Sequence, residues 1–222
     1  MNFTISARLR AHVALWIFFL LLVPSAFAFD SVTIFHHDGS SSKKTVVNGL
    51  LRIEEADTAV RLDRRSFDAI TRLELVRTAY MTDFSFLTRM PNLERIDLFE
   101  SGVADFQFLK HMPKLKLFWV ESADLSKTSI DFSENSRLRT ISITNSNLSD
   151  TSRLLNLPRD LTFLVLWYNG VKTANTLSKT GLPSVKVFLV DHNPPLRGLD
   201  LAFVTDSKLI PPELKGENGV LP

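Results

Sequence analysis

Few residues of this chain have the types and spacing that chemistry requires, and they are scattered. His36-His37-Asp38 sets two imidazoles and a carboxylate in a row, ligand types suited to zinc or copper. Adjacent residues at a strand end point apart, and no second cluster is placed to complete a tetrahedral site, so solvated turn residues are expected. Asp83, Asp105 and Asp150 each follow an apolar position by two residues. Such a column of acids could hold calcium, but one carboxylate per turn is better suited to accepting backbone N–H groups. Glu74 and Asp97 could act as an acid and base pair, although nothing around them supports that. His111 and His192 have no nucleophile close by in sequence. The chain has no Gly-x-Ser-x-Gly, no phosphate-cradling glycine loop and no His-Glu-x-x-His, and its 8 glycines are dispersed. The reading is a protein without catalytic residues, metal or cofactor.

The elements that would position any site form a repeat. MTDFSFLTRMP from Met81 matches VADFQFLKHMP from Val103, and the frame continues from Leu115, Leu138 and Leu161 to a partial copy at Val185. Each copy reads apolar-x-x-apolar-x-apolar, with a further apolar residue five or six positions later. Repeats of 22 to 24 residues mean stacked units that cannot bury an apolar face alone.

This pattern resembles the leucine-rich repeat family, most closely its short bacterial internalin-like class, over residues 70–201. The resemblance implies a β-rich α/β fold: a right-handed solenoid of about six repeats with a parallel concave sheet and short 3-10 or α turns on the convex side. It also implies a protein partner. The family's turn asparagine stands only at Asn169 and Asn193; Thr78, Ser101 and Ser146 replace it elsewhere, and Ala123 cannot. Repeat three is thus expected to depend on backbone or water, with irregular return segments in repeats three and four.

Alternation along each strand sends successive side chains to opposite faces. Leu73, Ile96, Phe118, Ile141, Leu164 and Phe188 form one inward column; Leu75, Leu98, Val120, Ile143, Leu166 and Val190 form a second. The residues between them face outward, charged in the first two repeats, hydroxylated in the fourth and apolar in the fifth and sixth. Phe163, Val165, Trp167, Tyr168, Val187 and Leu189 make the candidate protein-binding patch, with Phe99 and Trp119 as a smaller second one. A patch of this kind is large for a lone monomer. A glycan, a second copy of the chain forming a homodimer, and cover by the chain's own tail are the alternatives.

The ends complete the organisation. Residues 1–28 read as a signal peptide: Arg8, Arg10 and His12, an apolar run from Val13 to Val23, and Ala26-Phe27-Ala28 before a cut at Phe29. That run is shorter than the roughly 20 residues that span a bilayer, so export to the periplasm or beyond is expected, without membrane insertion after cleavage; an uncleaved anchor is the alternative. Removing the leader takes two of 26 basic residues and no acid, leaving 24 against 24. Without a basic excess, nucleic acid is not an expected partner. The chain has no cysteine, so no disulfide supports it. Residues 29–69 read as an N-terminal cap with a β-hairpin around Asp38-Gly39, its strands at 31–35 and 45–47 and a degenerate repeat as an option near 60–67. Residues 202–222 read as a C-terminal cap and loose tail.

Overall fold

The computed structural model describes residues 31–36, 38–54, 61–62, 67–78, 81, 83–172, 184–185, 187–190 and 193. The expected leader and C-terminal tail, His37 and His192 lie outside them. Strands β1 (Ser31–Phe35) and β2 (Ser41–Thr45) form an antiparallel hairpin, Phe35 opposite Ser41. Gly39 at φ +82° permits its turn, and the Asp38 carboxylate accepts the Ser40 N–H at 2.8 Å. The second hairpin strand therefore starts earlier than the 45–47 expected. Closure at Asp38-Gly39 leaves five residues, 36–40, between the strands and brings Ser41, not Thr45, against Phe35.

A second turn launches the main sheet. Val47 and Leu50 exchange backbone hydrogen bonds of 2.9 and 3.1 Å around Asn48 (φ +51°) and Gly49 (φ +76°). A Cβ on Gly49 would lie 2.3 Å from Thr71 Oγ1, so only glycine fits. Strand β3 (Leu50–Glu54) thus belongs to the parallel sheet and not to a separate cap. Of the segment near 60–67, β4 (Arg61–Leu62) pairs antiparallel with β1 and not with the parallel sheet, while residues 60 and 63–66 lie outside the described residues.

The protein is β-rich. Among the described residues the largest sheet has seven parallel strands, in the order β12-β11-β9-β7-β6-β5-β3. These are β5 (Arg72–Val76), β6 (Arg95–Phe99), β7 (Leu117–Glu121), β9 (Thr140–Thr144), β11 (Phe163–Val165) and β12 (Val187–Leu189), beside β3. Each partner lies 22 to 24 residues further along: Leu50 beside Arg72, Arg72 beside Arg95, Arg95 beside Leu117, and onward to Phe163 beside Val187. The residues directly after β5, β6, β7 and β9 are left-handed, Arg77, Glu100, Ser122 and Asn145, as is Tyr168 three positions past β11, at φ between 48° and 55°. The N–H groups of the first four donate to Phe99, Glu121, Thr144 and Trp167 carbonyls at 2.9 to 3.1 Å, carrying the ladder past the strand ends.

One face of the sheet is the core. Leu51, Leu73, Ile96, Phe118, Ile141 and Leu164 are buried, as are Ile53, Leu75, Leu98, Val120, Ile143, Leu166 and Val190. The returning segments pack on them through Phe86, Leu87, Phe108, Leu109, Leu125 and Leu148. Phe118 meets Phe106 and Phe132 edge to face at 5.8 and 5.5 Å. The first two return segments are 3-10 turns, Ser85–Arg89 and Gln107–His111. The next two carry the short parallel pair β8 (Ile130–Asp131) and β10 (Leu154–Leu155), the irregularity expected there.

Buried side chains tie the turns together. Asn169 Nδ2 donates to the Ile143 and Trp167 carbonyls at 2.7 and 2.9 Å, while its Oδ1 accepts from Ser146 and Leu148 N–H. Asn193 donates to the Leu166 and Val190 carbonyls. The Ala123 N–H does not depend on backbone or water as expected: Ser146 Oγ, one repeat on, accepts it at 3.2 Å. Asn135, missed in the sequence reading, donates to the Leu109 and Met112 carbonyls from a fully buried position.

Candidate functional site

The open face of the sheet is set by the same alternation that buries the leucine columns. On β11 and just beyond it, Leu164 and Leu166 are fully buried while Phe163, Trp167 and Tyr168 are 43%, 38% and 55% exposed. Val165 is half-buried between them. Val187 and Leu189 stand beside Phe163 and Val165 in the backbone register; their side chains lie outside the described residues. Phe99 and Trp119 come together as expected, edge to face at 5.1 Å. They do not join the β11 cluster, because β9 intervenes with Thr140, Ser142 and Thr144. The structure thus brings the candidate residues to two places on one face, separated by a hydroxyl strip.

The charged end of this face is mostly self-neutralised. Arg52 bridges Glu54 and Glu74, the latter at 2.8 Å, and Lys116 pairs with Glu94 at 2.8 Å. Hydrogen bonding to Arg52 holds Glu54 below the usual carboxylate range. Asp97 departs from expectation. It is not a surface carboxylate: its side chain is buried, with Arg95 Nε 2.7 Å away. Burial raises its pKa, against the opposing pull of Arg95. Each member of the Glu74–Asp97 pair has its own arginine partner, Arg52 for Glu74 and Arg95 for Asp97. Trp119 Nε1 is also buried, with no hydrogen-bond partner among the described residues.

The remaining candidates serve the turns. Asp83, Asp105 and Asp150 accept the N–H groups of Ser85, Gln107 and Ser152 at 2.8 to 2.9 Å, and Asp124 and Asp131 do the same for Ser126 and Ser133. Those bonds hold Asp83 below its ordinary value, chiefly through the Ser85 N–H. His36 Nε2 lies 2.8 Å from Ser42 Oγ. Among the described residues no group of three or more histidines and acids could hold a metal. No helix among them is long and apolar enough to cross a membrane. On the return side, a groove of about 310 Å³ runs between the first two 3-10 turns, lined by Phe84, Ser85, Thr88, Asp105 and Phe108. Its one acid is already engaged with the Gln107 N–H.

Two features escaped the sequence reading: the burial of Asp97 and the exposed, left-handed Glu100 that follows β6. Both depend on neighbours one repeat away, although counting the residue after each strand would have found Glu100. Compared with family models, with curated proteins and with solved structures, the chain finds no match.

Proposed function

We propose that this chain is a leucine-rich-repeat solenoid of the short internalin-like type, exported by its leader, that binds another protein on the concave face of its parallel sheet. One observation carries the reading: Phe163 on β11 and Trp167 and Tyr168 just beyond it are exposed, while Leu164 and Leu166 between them are fully buried. Aromatic side chains of this kind form the centres of binding hot spots once water is excluded. Covering a patch of roughly 200 to 300 Å² at about 25 cal/mol per Å² supplies several kcal/mol before association costs. The repeat period, the parallel register and the asparagine-bonded turns support the solenoid. The carboxylates of the face are engaged with arginine, lysine or backbone far more often than not, which favours recognition over catalysis.

The test is capture by the immobilised full-length chain against its Phe163→Ala, Trp167→Ala variant, both checked for the same circular dichroism. The expected result is one or more proteins retained by wild type and lost by the variant. Equal capture by both would overturn the assignment. A dimer in light scattering that the same double change dissolves would instead assign the face to a second copy of the chain.

A further inference from the structure

The Phe99–Trp119 pair differs from the β11 cluster in its electrostatics. Glu121 stands directly beside Phe99 in the β6–β7 register, and the left-handed Glu100 donates its N–H to the Glu121 carbonyl at 2.9 Å. Directly opposed strand residues carry Cβ atoms about 5 Å apart, so Glu121 borders the ring pair. The other acids of this face, Glu54, Glu74, Asp97 and Glu94, are paired with basic side chains. Among the described residues neither Glu100 nor Glu121 has an ion pair. Trp119 is partly exposed while its Nε1 is buried, so the part of its side chain that meets water is ring carbon. Glu121, across the ladder from Phe99, and the exposed Glu100, next to Phe99 in the chain, are therefore carboxylates without an ion pair near an aromatic surface that offers no donor of its own.

We propose that Trp119, Phe99, Glu121 and Glu100 together take an arginine side chain of the partner protein. This rests on the protein-binding reading above and specifies the partner's chemistry. A guanidinium stacks flat on an indole and still presents donors at its edge to carboxylates; a lysine ammonium is a compact point charge that does the first poorly. Two ladder steps, β7 to β9 to β11, separate this locus from Phe163 and Val165. At about 4.8 Å per step that is about 10 Å, the length of three residues of extended chain. The small side chains of Thr140, Ser142 and Thr144 form the floor between. The recognised segment thus carries an arginine and a large apolar residue three positions apart.

The full-length chain has three tryptophans, Trp16, Trp119 and Trp167. Their indole ¹⁵N–H signals, assigned with Trp119→Phe and Trp167→Phe, report the two ends of the surface separately. The probes are the tetrapeptide amide Arg-Ala-Ala-Leu and its citrulline counterpart, which keeps the shape and lacks the charge. The arginine peptide is expected to shift both signals and to bind roughly three- to ten-fold more tightly than the citrulline peptide. That advantage should vanish in Glu100→Gln, Glu121→Gln. Equal affinities, an advantage that survives in the double glutamine variant, or no shift at Trp119 would each overturn the proposal. The protein-binding reading is judged separately by capture, and peptides that shift Trp167 alone would leave it standing while removing the arginine site.

Discussion

Buried polar atoms of this protein divide into those that hold the turns and those that hold nothing. Asn169 satisfies four backbone groups across two successive turns. Asn169→Ala strands those groups away from water and should cost about 3 kcal/mol or more, read as a drop in urea midpoint. Thr78 occupies the equivalent place four repeats earlier, yet its Oγ1 is buried with no hydrogen-bond partner among the described residues. Thr78→Val keeps the shape and removes the unmet hydroxyl, so stability should stay level or rise by up to about 1 kcal/mol. Asp97 is the third case. Burial raises its pKa above the ordinary 3.8, so the folded chain holds this proton more tightly than the unfolded one. Its contribution to stability therefore falls as pH rises from that value through the folded pKa. Asp97→Asn removes this slope: the stability difference, variant minus wild type, should grow over that range in urea titrations at successive pH. A flat difference would mean that Arg95 fully offsets the burial. None of these roles is written in the residue type alone. Thr, Ser and Asn look interchangeable at the turn position until partners are counted, and Asp97 looks exposed until its neighbours on β5 and β7 are placed.

At the scale of elements, each strand is legible because its period of two leaves no choice of face. Leu73 and Leu75 must turn to one side if Arg72 and Glu74 turn to the other. Strand β3 follows the same rule through Leu51 and Ile53. It was missed because no return segment like Phe84-Ser85-Phe86-Leu87 follows it, so the copy-to-copy match has nothing to lock onto. The return segments are the less legible half. Phe86-Leu87 and Phe108-Leu109 enter the core through 3-10 turns, whereas Ile130 and Leu154 enter through a two-stranded bridge. Both routes place apolar side chains over Phe118. Phe118→Ala, which empties a site touching Phe106 and Phe132, should cost about 3 to 5 kcal/mol and lower the melting temperature accordingly. A smaller loss would show that the return segments collapse onto the cavity.

For the molecule as a whole, the sheet register makes a sharp demand: strands are interchangeable in units of one repeat and in no smaller unit. Deleting residues 95–116 joins Glu94 to Leu117 and sets β7 beside β5 in the register β6 now holds. That variant should remain folded, with a cooperative transition at lower stability, because nearest-neighbour stacking is the unit of stability in repeat proteins. Deleting only residues 95–105 cuts across the frame and should abolish the cooperative transition. Equal behaviour of the two deletions would count against the solenoid reading. The chain's local pattern determined by itself which side chains are core, which face outward and how far apart successive strands lie, because alternation and repeat length are properties of the sequence. Which outward residues meet water, which carboxylate is buried and which are left uncompensated was decided only by the tertiary structure. Those properties belong to a side chain and its neighbours 22 or 23 positions away, and a single strand, read alone, does not contain its neighbours.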